Sequence, residues 1–291
     1  MPAVTVAAEM APYAALLFGL VVGSFLNVVI LRLPKRMQAE LTEACAEQRG
    51  EQTEPLPSRW FGLDYLITPA SSCPHCGHGI RAWENIPIIS YLILQGRCSN
   101  CEATIGARYP IVEGISGLLS LLIILHFGAT AAGLAALVLT WGLVALTVID
   151  LDEQLLPDQL TLPLMWLGLL VNINGTFTDL GSAVIGAAAG YLSLWLVFQV
   201  FRLLTGREGM GYGDFKLLAV FGAFLGWQYL PQVVLLSSLI GAIVGVGLVL
   251  LRGRDRQIPI PFGPYLAIAG LVALLWGEEI NRGYLQLAGL G

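Results

Sequence analysis

The sequence predicts an all-α polytopic membrane protein with one loop domain outside the bilayer. The chain has 291 residues, of which 56% are hydrophobic and only 12% are charged. Its mean hydropathy of +0.74 is far above that of a soluble domain of this size. Apolar runs of about 20 residues, the length that spans a bilayer, recur along most of the chain. These observations place the protein in a membrane.

About eight of these runs are predicted to form transmembrane helices. The sixth is short and rich in glycine, so its lower boundary is the least sharply marked. The predicted segments are about 11–33, 111–128, 130–150, 159–174, 179–203, 214–227, 231–252 and 260–277.

The helices divide the chain into three parts. Residues 1–33 are the first transmembrane helix, residues 34–110 are a loop domain, and residues 111–291 are a core of seven membrane helices. The stretch from Glu40 to Arg59 is charged and poor in large apolar residues, which favours a short polar helix or a flexible segment. No cleavage site typical of a signal peptide follows the first helix, so this helix is expected to remain as an anchor.

The positions of the basic residues predict the orientation of the chain. If the N-terminus is outside, fourteen of the fifteen Lys and Arg residues face inward and only Arg282 faces outward. By the positive-inside rule, the loop domain is therefore predicted to be cytoplasmic. The net charge of −5, without a basic patch interleaved with aromatic residues, excludes a nucleic-acid-binding protein.

Two C-x-x-C pairs in the loop predict a zinc site. They are Cys73 with Cys76, and Cys98 with Cys101. Four thiolates complete a tetrahedral zinc site, and each two-residue gap allows a tight turn to aim both sulfurs at one ion. The loop has too little core to fold unaided, so a structural metal is expected to stabilise it. A pair of redox dithiols or disulfides is the alternative, which the reducing cytoplasm disfavours.

The other cysteine and the histidines have weaker patterns. Cys45 lacks a partner and is predicted to be a free thiol. His75 and His78 leave a mixed ligand set open, although four sulfurs already close a zinc site. His126 is predicted to be an interfacial or packed side chain in the second helix.

Asp150 and Asp214 lie where long apolar runs meet short polar loops. The predicted topology places both at the cytoplasmic face, where an unpaired carboxylate would be costly. Two close carboxylates share one proton, so the ionised member activates water while the protonated member polarises a peptide carbonyl. The pair therefore predicts an aspartyl protease. No serine, cysteine or histidine is as well placed, and the sequence has no H-E-x-x-H motif.

Structural roles compete for these acids. Asp152, Glu153 and Asp158 fit a solvated loop, and Asp158 is predicted to be the N-cap of the next helix. Asp150 directly follows an apolar run and so lies deeper than Asp152, which favours Asp150 as the catalytic residue. Asp214 also fits an ordinary carboxylate at a helix start, stabilised by the helix dipole.

Glycines before Asp214 and within the helices carry further predictions. Gly211 and Gly213 are expected to permit backbone conformations and close approaches that other residues do not, which carries Asp214 into a helix interface. Lys216 is predicted to be an interfacial anchor. Gly-rich stretches at 181–190 and 241–247 have the spacing typical of closely packed membrane helices.

These motifs together resemble the bacterial prepilin peptidases, a family of GxGD membrane aspartyl proteases. The GxGD element alone is shared with presenilin-like enzymes, and the cysteine loop argues against a presenilin-like enzyme. The resemblance runs nearly end to end. The matching stretches are 23–34, 87–91, 96–98, 108–110 with 113–114, 149–163, 211–216 and 261–264.

The resemblance implies a role for each site. Asp150 and Asp214 would be the catalytic pair, and the four cysteines of the C-x-x-C pairs would bind zinc. The family acts in the bacterial inner membrane with its N-terminus periplasmic. It removes the short basic leader of type IV prepilins or type II secretion pseudopilins at the cytoplasmic face.

The resemblance also implies N-methylation of the new N-terminus, with S-adenosylmethionine as donor. No G-x-G-x-x-G motif marks a donor site, and the loop is too short for a Rossmann domain. The candidate donor-site residues are Gly96, Arg97 and Glu113, near the segment 87–91, and each also fits a structural role.

A hypothesis from another class is a non-enzymatic zinc-binding membrane adaptor or transporter. A transporter would carry polar residues near the middle of the membrane, and these helices have few. No motif indicates an oligomeric state.

Overall fold

The computed structural model describes residues 2–50, 64–68, 70–207, 209–252 and 261–287. In these ranges the chain is helical apart from turns, bends and two isolated β-bridges, which confirms the all-α prediction. The α-helices of the described residues are α1 Pro2–Gln48, α2 Asp64–Ile67, α3 Ile89–Ile93, α4 Arg108–Phe127, α5 Ala131–Glu153, α6 Asp158–Val171, α7 Leu180–Thr205, α8 Tyr212–Leu225, α9 Leu230–Arg252 and α10 Gly263–Leu287.

The eight long helices coincide with the predicted segments, but not all of them have the length of a membrane span. Six are long and apolar enough to cross a bilayer, namely α1, α4, α5, α7, α9 and α10. Helices α6 and α8 have 14 residues each. At about 1.5 Å per residue each is roughly 21 Å long, shorter than the ~30 Å hydrocarbon core. The count of eight spans therefore stays a prediction.

Helix α1 runs beyond its predicted end at residue 33. It continues through Pro34 to Gln48, so the polar stretch from Glu40 is helical as far as Gln48. This extension is rich in good helix formers, and an ion pair of 2.7 Å joins Arg36 and Glu40 one turn apart. Predictions for residues 51–63 and 253–260, including Arg59, lie outside the described residues.

The chain forms two compact units, Met1–Gly128 and Ala129–Gly291. In the N-terminal unit, α1 packs along α4. Their backbones approach closely because a Cβ atom at Gly23 would lie 2.7 Å from the Cα atom of Glu113. The residues between α1 and α4 include two turns that each carry one C-x-x-C pair, called the knuckles below. Single antiparallel bridges join Ser72 to Gly79 in the first knuckle and Arg97 to Thr104 in the second.

In the C-terminal unit, the short helix α8 is the buried centre. It packs against α6, α7, α9 and α10, and its residues from Phe215 to Leu225 are buried except for Lys216. Phe215, Phe221 and Phe224 are fully buried. Packing against the neighbouring helices therefore fixes the position of α8, and Asp214 lies in its first turn.

Helices α7 and α8 cross at glycines. A Cβ atom at Gly186 would overlap the carbonyl oxygen of Gly222, and one at Gly190 would lie 2.7 Å from that of Leu218. Close packing is thus confirmed in the stretch 181–190. It does not extend to Gly247, where a Cβ atom would meet no other atom within 4 Å.

Candidate active site and metal centre

Asp150 lies in the last turn of α5 and is 5% exposed. Its Oδ2 atom accepts a hydrogen bond of 3.0 Å from the backbone N–H of Gly263, the first residue of α10. The first N–H groups of a helix lack partners within the helix and carry partial positive charge. The end of α10 therefore stabilises the Asp150 carboxylate.

Asp214 is 7% exposed and occupies the third position of α8. Its Oδ2 atom lies 3.9 Å from the position that a Cβ atom would take at Gly211, and the charge of Asp150 acts on its carboxylate. Two helix N-termini, those of α8 and α10, thus hold two buried carboxylates within electrostatic reach of each other. The structure brings together the two aspartates that the sequence selected.

Leu156 packs between the start of α8, which carries Asp214, and the start of α10, whose Gly263 holds Asp150. Its Cβ atom lies 2.6 Å from the position that a Cβ atom would take at Gly213, and its Cδ1 atom lies 3.3 Å from the corresponding position at Gly263. A Cβ atom at Gly263 would also lie 2.6 Å from Oδ2 of Asp150. Gly213 and Gly263 are therefore required by close approach.

The expectation of unusual backbone conformations at Gly211 and Gly213 is wrong. Gly211 has φ −83° and ψ 150°, which any residue adopts, and Gly213 is helical. Neither glycine has a positive φ. Close approach explains Gly213, whereas the nearest atom to a Cβ position at Gly211 is 3.9 Å away.

The prediction of Asp158 as a helix cap is also wrong. Pro157, not Asp158, is the N-cap of α6, and no side chain caps that end. Asp158 instead accepts two hydrogen bonds from Nζ of Lys216, at 2.6 and 2.7 Å. Lys216 therefore joins the start of α8 to the start of α6, and its role as an interfacial anchor stays a prediction.

Burial separates Asp150 from the acids that follow it. Asp152 and Glu153 are exposed, whereas Asp150 is buried. This difference agrees with the greater depth expected for Asp150. The exposed acids lie one turn or less from it, at the end of α5.

The four cysteines of the C-x-x-C pairs converge in the N-terminal unit. Their sulfur atoms lie within 4.8 Å of one another. Sγ of Cys73 is 3.8 Å from that of Cys101, and Sγ of Cys76 is 3.9 Å from that of Cys98. Tetrahedral zinc with Zn–S bonds of about 2.3 Å requires sulfurs about 3.8 Å apart. The donor set fits a zinc ion.

The two knuckles share one backbone design. Cys73 N–H donates to the carbonyl of His78 at 2.9 Å, and Cys98 N–H donates to that of Ala103 at 2.9 Å. The residue after each second cysteine has a positive φ, 70° at Gly77 and 56° at Glu102. Each turn thus directs two sulfurs toward the same point.

Polar groups around the sulfurs hold the knuckles together. The backbone N–H of His78 and the side-chain amide of Asn100 lower the pKa of the Cys76 thiol to about 6, which favours the thiolate that a metal needs. Glu84 accepts from the N–H of Arg81 at 2.8 Å and from the hydroxyl of Ser99 at 2.6 Å.

The side chain of His78 contacts Glu84 rather than the sulfur atoms. Its Nε2 atom lies 3.5 Å from Oε2 of Glu84. Neither His78 nor His75 belongs to the sulfur cluster among the described residues. The geometry favours four sulfur ligands over a mixed set.

The candidate donor-site residues each take part in the local structure of the N-terminal unit. Gly96 is buried with φ +67°, and a Cβ atom there would lie 2.9 Å from the hydroxyl of Tyr91. Arg97 is exposed and pairs with Thr104 across a bridge. Oε2 of Glu113, which is 8% exposed, accepts from the N–H of Ile88 at 2.8 Å. Each of the three therefore has a structural role, and their part in binding a methyl donor stays a prediction.

Sequence reasoning gave no role to Leu156 or Gly263. Leu156 lies against Gly213, next to Asp214, and Gly263 donates to Asp150. Gly263 lies in one of the stretches that match the prepilin peptidases, which was the available signal. Leu156 has no chemical signature, because an aliphatic side chain in an apolar protein does not stand out.

Comparisons with known proteins cover nearly the whole chain. Residues 17–127 match the bacterial peptidase A24 N-terminal domain, and residues 137–246 match the type IV leader peptidase family. No solved structure matches.

Curated relatives named prepilin leader peptidase/N-methyltransferase match along almost their full length. The protein of Pseudomonas aeruginosa is 57% identical over 94% of this chain and 93% of its own. That of Aeromonas hydrophila is 57% identical over 92% of each chain. That of Burkholderia pseudomallei is 50% identical over 94% of this chain and 87% of its own. With both domains matched and identities of this size, the chain belongs to the type IV leader peptidase family.

Proposed function

We propose that this chain is a membrane aspartic endopeptidase that removes the leader of type IV prepilins or type II pseudopilins, and then N-methylates the new N-terminal residue. Relatives at 50–58% identity carry both activities in their names. The observation that carries the peptidase proposal is the meeting of Asp150 and Asp214 at two helix N-termini. The enzymatic relatives disfavour an adaptor or transporter.

The dyad supplies acid and base in turn. Asp150 and Asp214 share one proton, since two adjacent buried carboxylates do not both ionise cheaply. The ionised carboxylate takes a proton from water as the water oxygen bonds to the scissile carbonyl carbon, and the protonated carboxyl donates to the carbonyl oxygen. The tetrahedral species then breaks its C–N bond, and the departing nitrogen takes a proton to become the new amino terminus.

The surroundings of the dyad fit this chemistry. The N–H of Gly263 holds one Asp150 oxygen in place throughout the reaction. Leu156 separates the start of α8 from the start of α10. Exposed Asp152 and Glu153 are one turn or less away and are suited to attract a basic leader.

The proposed orientation follows from the basic residues. The N-terminus is periplasmic, and the knuckles and the dyad face the cytoplasm of a bacterial inner membrane. The substrate keeps its positive leader in the cytoplasm by the same rule, while its apolar helix lies in the bilayer.

Zinc and the methyl donor have separate parts in the proposal. Cys73, Cys76, Cys98 and Cys101 hold a structural zinc ion that fixes the two knuckles to each other. S-adenosylmethionine supplies the methyl group for the new amino terminus.

Leader release by purified protein tests the peptidase proposal. Asp150→Asn and Asp214→Asn should each lower the cleavage rate by about 10³-fold or more, because either change removes the shared proton chemistry. Asp152→Asn is the matched control and should retain substantial activity. Mass spectrometry of the released leader measures the rate, and thermal unfolding in detergent confirms that each variant is folded.

Several outcomes would count against the assignment. Wild-type cleavage by either dyad variant would remove Asp150 and Asp214 from the chemistry. A loss at Asp152 as large as that at Asp150 would reopen the choice between them. Both dyad variants should still transfer labelled methyl groups to a pilin whose leader has already been removed, which separates the two activities.

A further inference from the structure

Large apolar side chains are exposed on a short stretch of the N-terminal unit, between the two knuckles. They are Trp83 at 47% exposure, Ile86 at 42%, Ile89 at 54%, Leu92 at 67% and Ile93 at 69%. Contiguous exposed apolar groups of this size mark an interaction surface rather than a water-facing loop.

The stretch contains almost no charge. From Asn85 to Gly96 no residue is charged, and the nearby Glu84 side chain is only 5% exposed because it faces His78 and Ser99. Exposed Arg81 and Arg97 flank the stretch on either side. An apolar segment with basic flanks complements a bilayer that contains anionic lipid.

Hydrogen bonds set the depth of the stretch against the membrane helices. Ser24 of α1 donates to Asn85 at 3.4 Å, and Glu113 of α4 accepts from Ile88 at 2.8 Å. Ser24 is eight residues before Arg32, the first basic residue of α1, and Glu113 is five residues after Arg108 at the start of α4. At ~1.5 Å per residue these contacts lie about 12 and 8 Å inside the charged ends of the helices.

Backbone groups of the stretch are paired internally, as lipid requires. Pro87 has no N–H, and the N–H of Ile88, which has a φ of +59°, finds the buried Glu113 carboxylate. Ser90 N–H donates to the carbonyl of Ile86 at 3.0 Å, and Leu92 N–H donates to that of Ile88 at 3.0 Å. The apolar side chains therefore enter a bilayer without carrying unpaired amides at these positions.

Exposed apolar residues also lie beside the two hydrogen-bonded contacts on α1 and α4. Phe25, next to Ser24, is 48% exposed, and Ile111 and Ile115, on either side of Glu113, are 56% and 45% exposed. We infer that residues 83–93 form a membrane-inserted segment, held at the boundary between headgroups and acyl chains by Ser24 and Glu113. This inference does not depend on the catalytic proposal.

Spin-label accessibility in lipid vesicles tests the inference. The full zinc-loaded protein is placed in vesicles of phosphatidylethanolamine and phosphatidylglycerol, with a nitroxide attached to a ketone-bearing amino acid at position 92 so that the cysteines stay unlabelled. A label at Leu118 of α4, which is 61% exposed, is the lipid control, and one at exposed Glu102 is the water control.

The label at position 92 should collide often with oxygen and rarely with a water-soluble nickel complex, as the label at position 118 does. Frequent nickel collisions, as at position 102, would place the segment in water and overturn the inference. Few collisions with either reagent would also overturn it, because the segment would then be covered by protein.

The anchoring role of Glu113 has its own matched pair. Glu113→Gln keeps an oxygen that accepts from Ile88 N–H, so the collision profile at position 92 should stay unchanged. Glu113→Ala removes the acceptor and should raise nickel collisions severalfold. An unchanged profile in Glu113→Ala would overturn the anchor.

Discussion

Asn172 is fully buried, and both polar atoms of its side chain are hydrogen-bonded. Its Nδ2 atom donates to the carbonyls of Ala223 and Phe224 at 2.9 Å, and its Oδ1 atom accepts from the N–H groups of Phe177 and Thr178 at 2.9 and 3.2 Å. Backbone groups inside a membrane protein have no water to satisfy them. One side chain thus ties the end of α8 to the connection between α6 and α7.

Asn172→Asp tests this tie, because aspartate keeps an acceptor and loses both donors. We expect a loss of about 1–3 kcal/mol in the free energy of unfolding, because the buried carbonyl groups of Ala223 and Phe224 are left without a donor. Asn174→Asp is the control, since Asn174 is exposed in the same turn. Denaturant titration of the purified protein in detergent measures the difference. Equal effects of the two substitutions would contradict the role of Asn172.

At this scale the sequence predicts residues by chemical type. Asp150, Asp214 and the four zinc-site cysteines stand out because carboxylates and thiols are scarce in an apolar chain. The role of Asp158 could not be read from its own position, because Lys216, 58 residues later, takes its carboxylate. Gly263 and Leu156 act through shape, which a single sequence does not display.

Helix crossings carry the next level of organisation. Backbone contact between α7 and α8 depends on Gly186, Gly190 and Gly222, where any side chain would meet main-chain atoms of the other helix. Such contacts allow dispersion forces and weak polar contacts to hold helices together where lipid removes the hydrophobic driving force.

Gly186→Ala should therefore destabilise the protein by about 1–3 kcal/mol through overpacking. Gly247→Ala in α9 is the matched control, because its new methyl group meets nothing within 4 Å and alanine favours helix. Chemical unfolding of both variants in one detergent provides the comparison. Loss of stability in Gly247→Ala alone would refute the crossing argument.

The knuckle pair is an element whose stability depends on metal. We expect about one zinc ion per chain, bound by four sulfurs. Cys98→Ser should lose the zinc and expose the residues between α1 and α4 to limited proteolysis, since binding and folding are linked. Cys45→Ser should retain it, because Cys45 is exposed and outside the sulfur cluster. Metal analysis of the purified variants measures the bound zinc. Wild-type protein that contains no zinc would contradict the proposed zinc site.

Elements were predictable where apolar length or ligand spacing marks them. The eight long helices and both knuckles follow from such patterns. The continuation of α1 to Gln48 does not, because Pro34 and the following charges resemble a helix end, while the helix-forming residues beyond them decide the outcome.

At the scale of the membrane core, the dyad constrains how often the chain crosses the bilayer. Asp150, Asp214 and Gly263 meet in one place. Between Asp150 and Asp214 the chain passes through α6 and α7, and α7 has the length of a span. A return to the same face requires an even number of crossings, so we expect α6 to cross as well. The same reasoning applies to α8 and α9 between Asp214 and Gly263.

Reporter fusions test the eight crossings predicted from this parity. Alkaline phosphatase, which is active only outside the cytoplasm, should be active when fused after Gly175 or after Gly226. A fusion after Gly206 should be inactive, and a fluorescent protein fused there should fold. If α6 did not cross, the alkaline phosphatase after Gly175 would lie in the cytoplasm and be inactive. If α8 did not cross, the same would hold for the fusion after Gly226.

A short crossing by α6 has a consequence for the surrounding lipid. Leu162, Trp166 and Leu170 are exposed on this helix, so its outer face meets acyl chains along only 14 residues. A span shorter than the hydrocarbon thickness is accommodated by local compression of the bilayer. If α6 crosses as predicted, we expect the aqueous boundary to be drawn inward beside it, near the Asp158 carboxylate at its start, so that water reaches deeper into the bilayer than around the longer helices.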